Sequence, residues 1–542
     1  MDWRTLISRR PWLMLLALSA ALLLPRLGAP ELRSPDEPRF SLIVQDIFRG
    51  EGTLIVPHLD GVIYSEKPPL QLWAVWLASL PFGRPTEWSA RIPSVLAAIG
   101  LVLLTWRLGR RLFGNRPGFI GALVLLTSGT FFTLARWCCT DIVLSFFMGL
   151  AVFYAYRWTC HDGTPRRGPG WAFFAAAALA TLTKGPVGLV LPAGILVGSL
   201  IMERRWREIA RFPWLTGCLL YLTIVVPWYW LYGLEGGAHN LWMVVLRENV
   251  NRYLHAWNNV RPFYYYFSNF PLSFLPWVVF LPATLLAMYR RRRSESGAAL
   301  RYCALWFLIV FVFFSISSGK RTNYLLPLFP AAALLVGWFL DSGYLALGAE
   351  GFGLIFAPSF VWSLLLSIAG IGAPILVGKL YPPALMPAAV IGAVLVATGA
   401  ILAIVTWRRD LHRMVAVMCG GMLVAEFLGG LWLLPVLGGY ENVRGFSQEI
   451  VRAVPQGARF ATPIDKREAL LFYTGLRGDL IKTDKDLVRI LDSAQPAYCV
   501  VSGDTWDRVE KAHLATGQVV LREPVASFSS YVVVRNGNVA PN

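Results

Sequence analysis

The chain has 542 residues, of which 56% are hydrophobic and 15% are charged, and its mean hydropathy is +0.53. This composition excludes an ordinary soluble globular protein, in which roughly a quarter of the residues are charged. The formal net charge is +18, from 50 Lys and Arg against 32 Asp and Glu. Because the basic residues stand in short loops between apolar segments, they indicate membrane topology rather than nucleic-acid binding.

The apolar segments predict an all-α polytopic membrane protein that crosses the bilayer about thirteen times. The first segment follows Arg4, Arg9 and Arg10 without a small-residue cleavage site after it, so we expect a retained signal anchor. Gln71–Leu80 is too short to span and is expected to lie along the membrane surface. The predicted spans are Pro11–Leu27, Ser89–Arg107, Pro117–Leu134, Asp141–Arg157, Trp171–Leu182, Val187–Met202, Trp214–Tyr232, Pro271–Tyr289, Tyr302–Ile316, Tyr324–Leu340, Phe352–Leu376, Leu385–Thr406 and Met414–Pro435.

Between the first two spans, Ser34–Leu70 is unusually rich in ionisable residues. Within it, Phe40–Phe48 has its apolar residues on one helical face and Arg39 and Asp46 elsewhere. This pattern predicts an amphipathic helix that lies in the membrane interface. A solvated loop with a surface helix is the simpler alternative.

Basic residues alternate between successive loops. The Arg-rich set lies near residues 107–116, 157–167 (Arg157, Arg166, Arg167), 204–211, 290–301 and 408–413, and the positive-inside rule makes it cytoplasmic together with the amino terminus. The other loops, including 28–88 and 233–270, are then periplasmic, as is the carboxy-terminal region. The loop at 341–350 has no basic residue and is the weakest point of this topology.

The composition changes after about Tyr440, where charged residues become frequent. We predict a transmembrane domain over residues 1–438 and a small soluble α/β domain, outside the membrane, over 439–542. Short apolar runs predict strands at 497–501, 519–521 and 531–534, and helices are predicted at 485–494 and 506–515. No nucleotide-binding glycine loop occurs in this region.

The outward loops bring ionisable residues from distant parts of the chain to one membrane face. Cations around a phosphate, beside a carboxylate able to take a proton, are what a transfer with a phosphate leaving group requires. For any single residue a helix-end anchor or a surface ion pair is the simpler explanation: Asp141 could simply begin a helix. The acids are Asp36, Glu37, Glu66 and Asp141, and the bases are Lys67, Arg136, Lys184, Arg247, Arg252, Arg261, Lys320 and Arg321.

Several motifs then carry a resemblance. The motifs are SPDEPRF at Ser34–Phe40, GVIYSEKPPL at Gly61–Leu70, Arg136–Asp141, Thr183–Pro186, Glu248-Asn249 with Arg252, Arg261–Tyr265, and Ser318–Lys320 leading to Tyr324–Pro327. In this order they resemble the ArnT-like glycosyltransferases, which are related to the protein O-mannosyltransferases and have the GT-C architecture. The resemblance covers the whole membrane part, and the carboxy-terminal domain matches in position only.

The resemblance implies an inner-membrane transferase that uses a polyprenyl-phosphate-linked sugar, such as an undecaprenyl phosphate donor, at the periplasmic face. It implies Asp36 as the catalytic carboxylate, with Glu37 as the competing candidate. Lys67, Arg252 and Tyr324 would hold the lipid phosphate, with Arg261 nearby. The further cavity residues it implies are Glu37, Tyr64, Glu66, Asp141, Lys184 and Lys320.

The implied reaction is an inverting transfer, in which Asp36 deprotonates a hydroxyl acceptor or orients a phosphate acceptor such as lipid A. Aminoarabinose on lipid A is one donor–acceptor pair; another sugar on protein Ser/Thr or on an envelope glycan is the alternative. Members that modify lipid A often carry His where this chain has Asn249, which leaves sugar and acceptor open. A lipid flippase would place charges at mid-membrane within paired repeats of broken helices, and neither is found.

Metal and disulfide chemistry find little support in the sequence. The seven cysteines are scattered, and no C-x-x-C spacing occurs. Glu66 could contribute to a metal site, yet no second His or Cys ligand is evident near it, so we predict no obligatory metal or other cofactor.

Overall fold

The structure, a computed structural model, describes residues 10–160, 167–294, 296–440, 442–522 and 531–537. Arg4, Arg9 and Arg166, on which the predicted topology partly rests, lie outside the described residues. Helices dominate as far as residue 438, and a mixed sheet with flanking helices follows.

The regular secondary structure of the membrane part is helical within the described residues, apart from a two-stranded hairpin, His58–Leu59 with Val62–Ile63, and an isolated bridge between Val260 and Gly319. Its α-helices are Pro11–Leu23, Asp36–Phe48, Leu70–Ser79, Glu87–Leu112, Asn115–Leu126, Gly129–Ala135, Thr140–Thr159, Arg167–Lys184, Val187–Met202, Trp206–Arg211, Trp214–Gly236, Ala238–Trp242, Arg252–Leu254, Tyr265–Ser273, Leu281–Arg290, Gly297–Ile316, Phe329–Asp341, Gly348–Leu380, Leu385–Trp407, Leu411–Leu428 and Leu434–Gly438. Its 3₁₀ turns are Leu80–Phe82, Trp277–Phe280, Thr322–Leu328, Gly343–Leu347 and Pro382–Ala384, and its π-helical turns are Met243–Asn251 and Gly429–Leu433.

Within the described residues, eight helices are long and apolar enough to cross a membrane, or up to ten if each of two bent pairs forms one span. These bent pairs fall in the predicted spans 117–134 and 271–289, each of which is therefore two helices and not one straight helix. The first is bent by 68° after Leu126, and the second by 110° after Ser273. At the first bend, the hydroxyls of Thr127 and Ser128 bond back to the carbonyls four residues earlier, a contact that competes with regular helix geometry. The chain is thus a multi-pass membrane protein.

The centre of the bundle is the helix Phe329–Asp341, which is buried from Phe329 to Leu340. It packs against Asn115–Leu126 almost backbone to backbone. A Cβ added at Gly337 would stand 2.5 Å from the backbone nitrogen of Gly121, so glycine is required at this crossing.

The helix Asp36–Phe48, here called the site helix, is amphipathic as predicted, but other parts of the protein cover its apolar face. Its apolar side chains Phe40, Ile43 and Val44 pack inward with Tyr64 and neighbouring residues. Its other face is covered as well, because Leu42 joins the core of the carboxy-terminal domain and Asp46 is fully buried. The site helix is therefore clamped between the two parts of the chain.

The carboxy-terminal part has a five-stranded sheet in the order Asp479–Ile481, Arg459–Pro463, Ala497–Ser502, Tyr531–Asn536, Gly517–Arg522. The first three strands are parallel, and the other pairings are antiparallel. Its helices are Val443–Ala453, Arg467–Thr474, Asp484–Leu491 and Gly503–Lys511.

The three predicted strands of this sheet are confirmed, whereas the helix predicted at 506–515 begins at Gly503 and ends at Lys511. The sequence did not predict the strand Arg459–Pro463 or the short strand Asp479–Ile481. It also did not predict the helix Arg467–Thr474, here called the docking helix, which packs on the site helix.

Candidate active site

Six separate segments of the chain meet in one cavity of about 220 Å³, here called the ionic pocket. The start of the site helix and the loop before Leu70 form one side. The opposite side of the pocket is formed by the ends of helices, where unpaired backbone groups and charged side chains are common. The pocket is lined by Pro35, Asp36, Arg39, Phe40, Tyr64, Glu66, Lys67, Cys138, Cys139, Thr140, Asp141, Lys184, Glu248, Arg252, Trp257, Asn258, Arg321 and Tyr324.

Each carboxylate that lines the ionic pocket has a cationic partner. Arg321 Nη1 lies 3.3 Å from Asp36 Oδ2, and Arg39 Nη1 lies 3.1 Å from Glu66 Oε2. Deeper in the protein, Arg252 pairs with Glu248 at 2.7 Å and Lys184 pairs with Asp141. Four carboxylates are thereby neutralised by four of the five cations that line the pocket.

Lys67 is the fifth cation, and its ammonium has no hydrogen bond or ion pair among the described residues. It lies partly buried, and burial together with the charges of Lys184 and Arg252 lowers the pKa of Lys67 to about 8. Burial also raises the pKa of the adjacent Tyr64 well above its usual value. An ammonium held away from water without a counter-ion attracts an anion strongly.

Lys184 and Tyr324 stand together beside Lys67. Lys184 Nζ lies 4.1 Å from the centroid of the Tyr324 ring, a cation–π distance. The buried Asp141 holds Lys184 through an ion pair. It also accepts a hydrogen bond of 2.6 Å from Asn323 Nδ2, next to Tyr324 in the chain. The turn after Lys184 requires glycine, since Gly185 has a φ of +86°.

An apolar groove of about 290 Å³ opens from the ionic pocket. The two cavities share Lys67, Lys184, Glu248, Arg252, Asn258 and Tyr324. Away from these residues the groove is lined by the apolar side chains of Val187, Val190, Val250, Leu254, Phe313 and Phe314. Asn249, where the chain departs from the family pattern, lines this groove rather than the ionic pocket and packs against Gly185.

A second cavity of about 670 Å³ lies on the other side of Asp36. Asp36 and Arg321 line both cavities, so this ion pair stands in the wall between them. The second cavity adds the cations Arg33, Arg261 and Lys320. Its aromatic lining is Trp137, on which the Arg33 guanidinium stacks at 4.5 Å, and Tyr265.

Three of the predicted site residues line the second cavity and not the ionic pocket. Arg261 lines the second cavity and not the ionic pocket, because the chain at 258–262 runs past its rim. Lys320 is buried and donates to the carbonyls of Ser317 and Arg261, so its ammonium is held by backbone; burial lowers its pKa.

Glu37 is the third. It borders the second cavity, but both of its oxygens are bonded to the buried Arg91 at 2.8 Å. They also accept the backbone N–H groups of Cys138, at 2.7 Å, and Arg33, at 2.9 Å. A carboxylate whose two oxygens are both held in this way is structural and is not free to contact an acceptor.

The remaining predicted residues converge, and the structure adds others to them. Asp36, Tyr64, Glu66, Lys67, Asp141, Lys184, Arg252 and Tyr324 all line the ionic pocket. The sequence did not assign Arg39, Glu248 or Arg321 to the site. The sequence did point to two of them, because Arg321 is one of the outward cations and Glu248 belongs to one of the family motifs. Arg39 was predicted to lie on the polar face of the site helix.

No set of three His, Cys, Asp or Glu side chains within the described ranges could hold a metal ion. All seven cysteines are free. The donors that converge on the ionic pocket are mainly ammonium and guanidinium groups, which suit an anion rather than a metal.

Comparison with known proteins adds four findings. Residues 66–230 match the family model described as dolichyl-phosphate-mannose-protein mannosyltransferase. An undecaprenyl phosphate-alpha-4-amino-4-deoxy-L-arabinose arabinosyl transferase of Pseudomonas fluorescens is 31% identical, over 56% of this chain and 53% of that protein. The alignment thus spans about half of that relative. An uncharacterized protein of Aquifex aeolicus is 30% identical, over 58% of this chain and 69% of its own length.

The crystal structure of ArnT from Cupriavidus metallidurans bound to undecaprenyl phosphate has the same fold. The TM-score is 0.80 at 23% identity, over 100% of this chain and 99% of that one. The motifs, the relatives and the fold agree: the chain is similar to the ArnT-like glycosyltransferases and to the protein O-mannosyltransferases, and it has the fold of the ArnT crystal structure.

Proposed function

We propose that the protein is a membrane glycosyltransferase that takes its sugar from a polyprenyl phosphate. The observation that carries this proposal is the free ammonium of Lys67, at the junction of the ionic pocket and the apolar groove. A partly buried cation without a hydrogen bond or ion pair among the described residues, beside an apolar groove, matches an amphiphile with a phosphate head and a hydrocarbon tail.

The donor phosphate lies beside Lys67 in this proposal, with Arg252 and the Tyr324 hydroxyl as further donors. Arg252 Nη1 is already paired with Glu248 at 2.7 Å, so the phosphate would bind the remaining N–H donors of the Arg252 guanidinium. The polyprenyl chain occupies the apolar groove. The names of the relatives, which specify undecaprenyl phosphate, support this lipid as the carrier.

The transfer then follows from the position of Asp36 in the wall between the two cavities. An acceptor oxygen in the second cavity bonds to the anomeric carbon, and the bond from that carbon to the phosphate oxygen breaks. The phosphate leaves with the electron pair, and Lys67 and Arg252 stabilise its charge. Asp36 takes the proton of a hydroxyl acceptor; a phosphate acceptor needs orientation instead. Attack opposite the leaving group inverts the anomeric centre.

The second cavity favours an anionic acceptor. Four cations line it, namely Arg33, Arg261, Lys320 and Arg321, against Asp36 and the saturated Glu37. The phosphate groups of lipid A have this chemistry. We therefore propose 4-amino-4-deoxy-L-arabinose as the sugar and lipid A as the acceptor, in line with the named relatives. The charge of the lining is the observation that favours lipid A over a neutral Ser or Thr acceptor.

The site faces the periplasm of a bacterial inner-membrane protein in this proposal. About thirteen spans are proposed, with residues 1–438 forming the transmembrane domain and 439–542 a periplasmic domain. The amino terminus is cytoplasmic, as the Arg-rich loops require. No obligatory metal or cofactor is proposed, because side-chain cations neutralise the phosphate. A periplasm-dependent reporter fused after Asn542 is expected to be active, and activity of a cytoplasmic reporter there would contradict this orientation.

The test of the function combines binding with product analysis. Purified protein is expected to bind undecaprenyl phosphate, measured by its rise in melting temperature. Mass spectrometry of lipid A and of periplasmic glycans, from cells with and without the gene, should show a mass increase of one aminoarabinose on lipid A only. Absence of undecaprenyl phosphate binding would contradict the donor class. A change confined to another glycan would keep the donor class and replace the acceptor.

A further inference from the structure

Arg39 joins the ionic pocket to the carboxy-terminal domain. Its Nη1 donates to Glu66 in the pocket, at 3.1 Å. Its Nε and Nη2 both donate to Glu468 Oε1, at 3.3 and 3.2 Å. Glu468 is the second residue of the docking helix, is largely buried and does not line the pocket.

Arg39 also stands three residues after Asp36 on the site helix, and both side chains line the ionic pocket. Opposite charges at this spacing attract each other on a helix. The observed arrangement avoids this contact: Arg39 points to Glu66 and Glu468, and Asp36 is paired with Arg321. A guanidinium that lost one of its two carboxylates would be free to turn to Asp36.

The rest of the domain interface lies away from the pocket. Arg477 pairs with the fully buried Asp46 and with Glu51, and Arg467 pairs with Asp60, whose carboxylate it reaches at 2.8 Å through Nε. None of these residues lines the ionic pocket. Within the interface ion pairs of the described residues, only the Arg39–Glu468 contact therefore reaches the pocket directly.

We propose that Glu468 is a positioning residue of the carboxy-terminal domain, which holds Arg39 against Glu66 and so keeps Arg39 from pairing with Asp36. This inference rests on the proposed function, because it assigns the domain a part in that transfer. The domain then contributes to the rate of transfer, and the docked state of the two domains is the competent one. Glu468 does not contact Lys67, on which donor binding depends, so donor binding is independent of Glu468.

The test compares Glu468→Gln with Arg477→Gln in full-length protein, using undecaprenyl-phosphate aminoarabinose as donor and lipid A as acceptor. Glu468→Gln is expected to lower kcat roughly fivefold or more, while the affinity for undecaprenyl phosphate stays within about twofold. Arg477→Gln removes docking contacts elsewhere. It should lower the melting temperature, because it leaves Asp46 buried without its partner, and should leave kcat per folded molecule unchanged.

A double-mutant cycle identifies Arg39 as the link. If a freed Arg39 captures Asp36, then Glu468→Gln will slow the wild-type protein but will not slow Arg39→Gln further. Equal loss of kcat in Glu468→Gln and Arg477→Gln, wild-type kcat in Glu468→Gln, or additive losses in the cycle would each overturn the inference. Wild-type protein that neither binds undecaprenyl phosphate nor transfers would instead overturn the proposed function.

Discussion

The ionic pocket and the second cavity share the Asp36–Arg321 pair but differ in how their other charges are held. In the ionic pocket, side-chain carboxylates neutralise every cation except Lys67. In the second cavity, Lys320 is held by backbone carbonyls, Arg33 lies on an aromatic ring, and Arg261 is exposed. The ionic pocket therefore has one cation without a counter-ion, whereas the second cavity has several cations spread over its wall.

This difference indicates two kinds of recognition. A small cavity of about 220 Å³ with one free ammonium selects one phosphate in one position. A cavity of about 670 Å³ with dispersed cations tolerates a larger anionic molecule in more than one pose. Asp36 is the group that must serve both regions, so its removal should have the largest effect.

Asp36→Asn keeps the size of the side chain and removes its charge. We expect transfer to lipid A to fall by roughly a hundredfold, the scale of losing the group that orients the acceptor for attack. Expression and undecaprenyl phosphate affinity should stay near the wild-type values, because Lys67 and its neighbours are unchanged. Initial rates with lipid A, at saturating donor, measure the effect.

Glu37→Gln is the matched comparison, one residue along the same helix. It removes the charge that neutralises the buried Arg91, which typically destabilises a protein by roughly 3–5 kcal/mol. We expect a lower melting temperature and less folded protein, with little change in turnover per folded molecule. Full transfer by Asp36→Asn together with loss of transfer in a stable Glu37→Gln would move the catalytic role to Glu37.

Lys67→Ala tests the free ammonium of the ionic pocket. Because a charge-assisted bond to phosphate is lost from a partly buried site, undecaprenyl phosphate affinity should fall roughly tenfold or more. The apparent KM for lipid A should change little, since Lys67 does not line the second cavity. Unchanged binding by a folded Lys67→Ala variant would remove the main support for the donor site.

Arg261→Gln tests the division between the two regions. Because Arg261 lines only the second cavity and is exposed, we expect the apparent KM for lipid A to rise up to about fivefold, the upper range for an exposed charge. Binding of undecaprenyl phosphate should stay within about twofold. A larger effect on undecaprenyl phosphate than on lipid A would return Arg261 to the donor phosphate, as the family resemblance implied.

Local patterns predicted much of this architecture. Each predicted span falls on helical segments, because long apolar runs have no other way to satisfy their backbone in a membrane. The two bends were missed because a bend depends on Thr127, Ser128 and tertiary contacts, which hydropathy does not register. The site helix was placed at the membrane surface because amphipathicity does not reveal whether lipid or another domain covers a face.

The candidate site was predicted through its motifs and not through its ion pairs. The outward cations were found from charge alone, but their partners come from segments hundreds of residues apart, such as Asp36 with Arg321. Pairing of this kind is a property of the tertiary fold. The same limit explains why Glu37 remained a candidate catalytic residue. Both of its oxygens are bonded to Arg91, a residue inside a predicted span for which the sequence indicates no partner.

The smallest expected effect is a pH dependence confined to the ionic pocket. The pKa of Lys67 is about 8 in the free protein, and an anion favours the ammonium form. Affinity for undecaprenyl phosphate should therefore be nearly constant below about pH 7 and fall as the pH rises through 8, by about fourfold between pH 7 and pH 8.5. The lipid phosphate has lost its second proton by about pH 7, so its own charge changes little in this range.

Other groups that face Lys67 should not produce this dependence. No histidine is among the residues that line the pocket, the pKa of Arg252 is raised above its usual value beside Tyr324 and Glu248, and burial raises the pKa of the Cys138 thiol well above this range. Lys67→Arg is the control, because a guanidinium keeps its charge to beyond pH 12. Its affinity should be flat from pH 7 to 8.5, and so should the affinity of wild type for lipid A. If the affinity of Lys67→Arg for undecaprenyl phosphate fell equally with pH, another group would be titrating, and the charge of Lys67 would not determine the affinity.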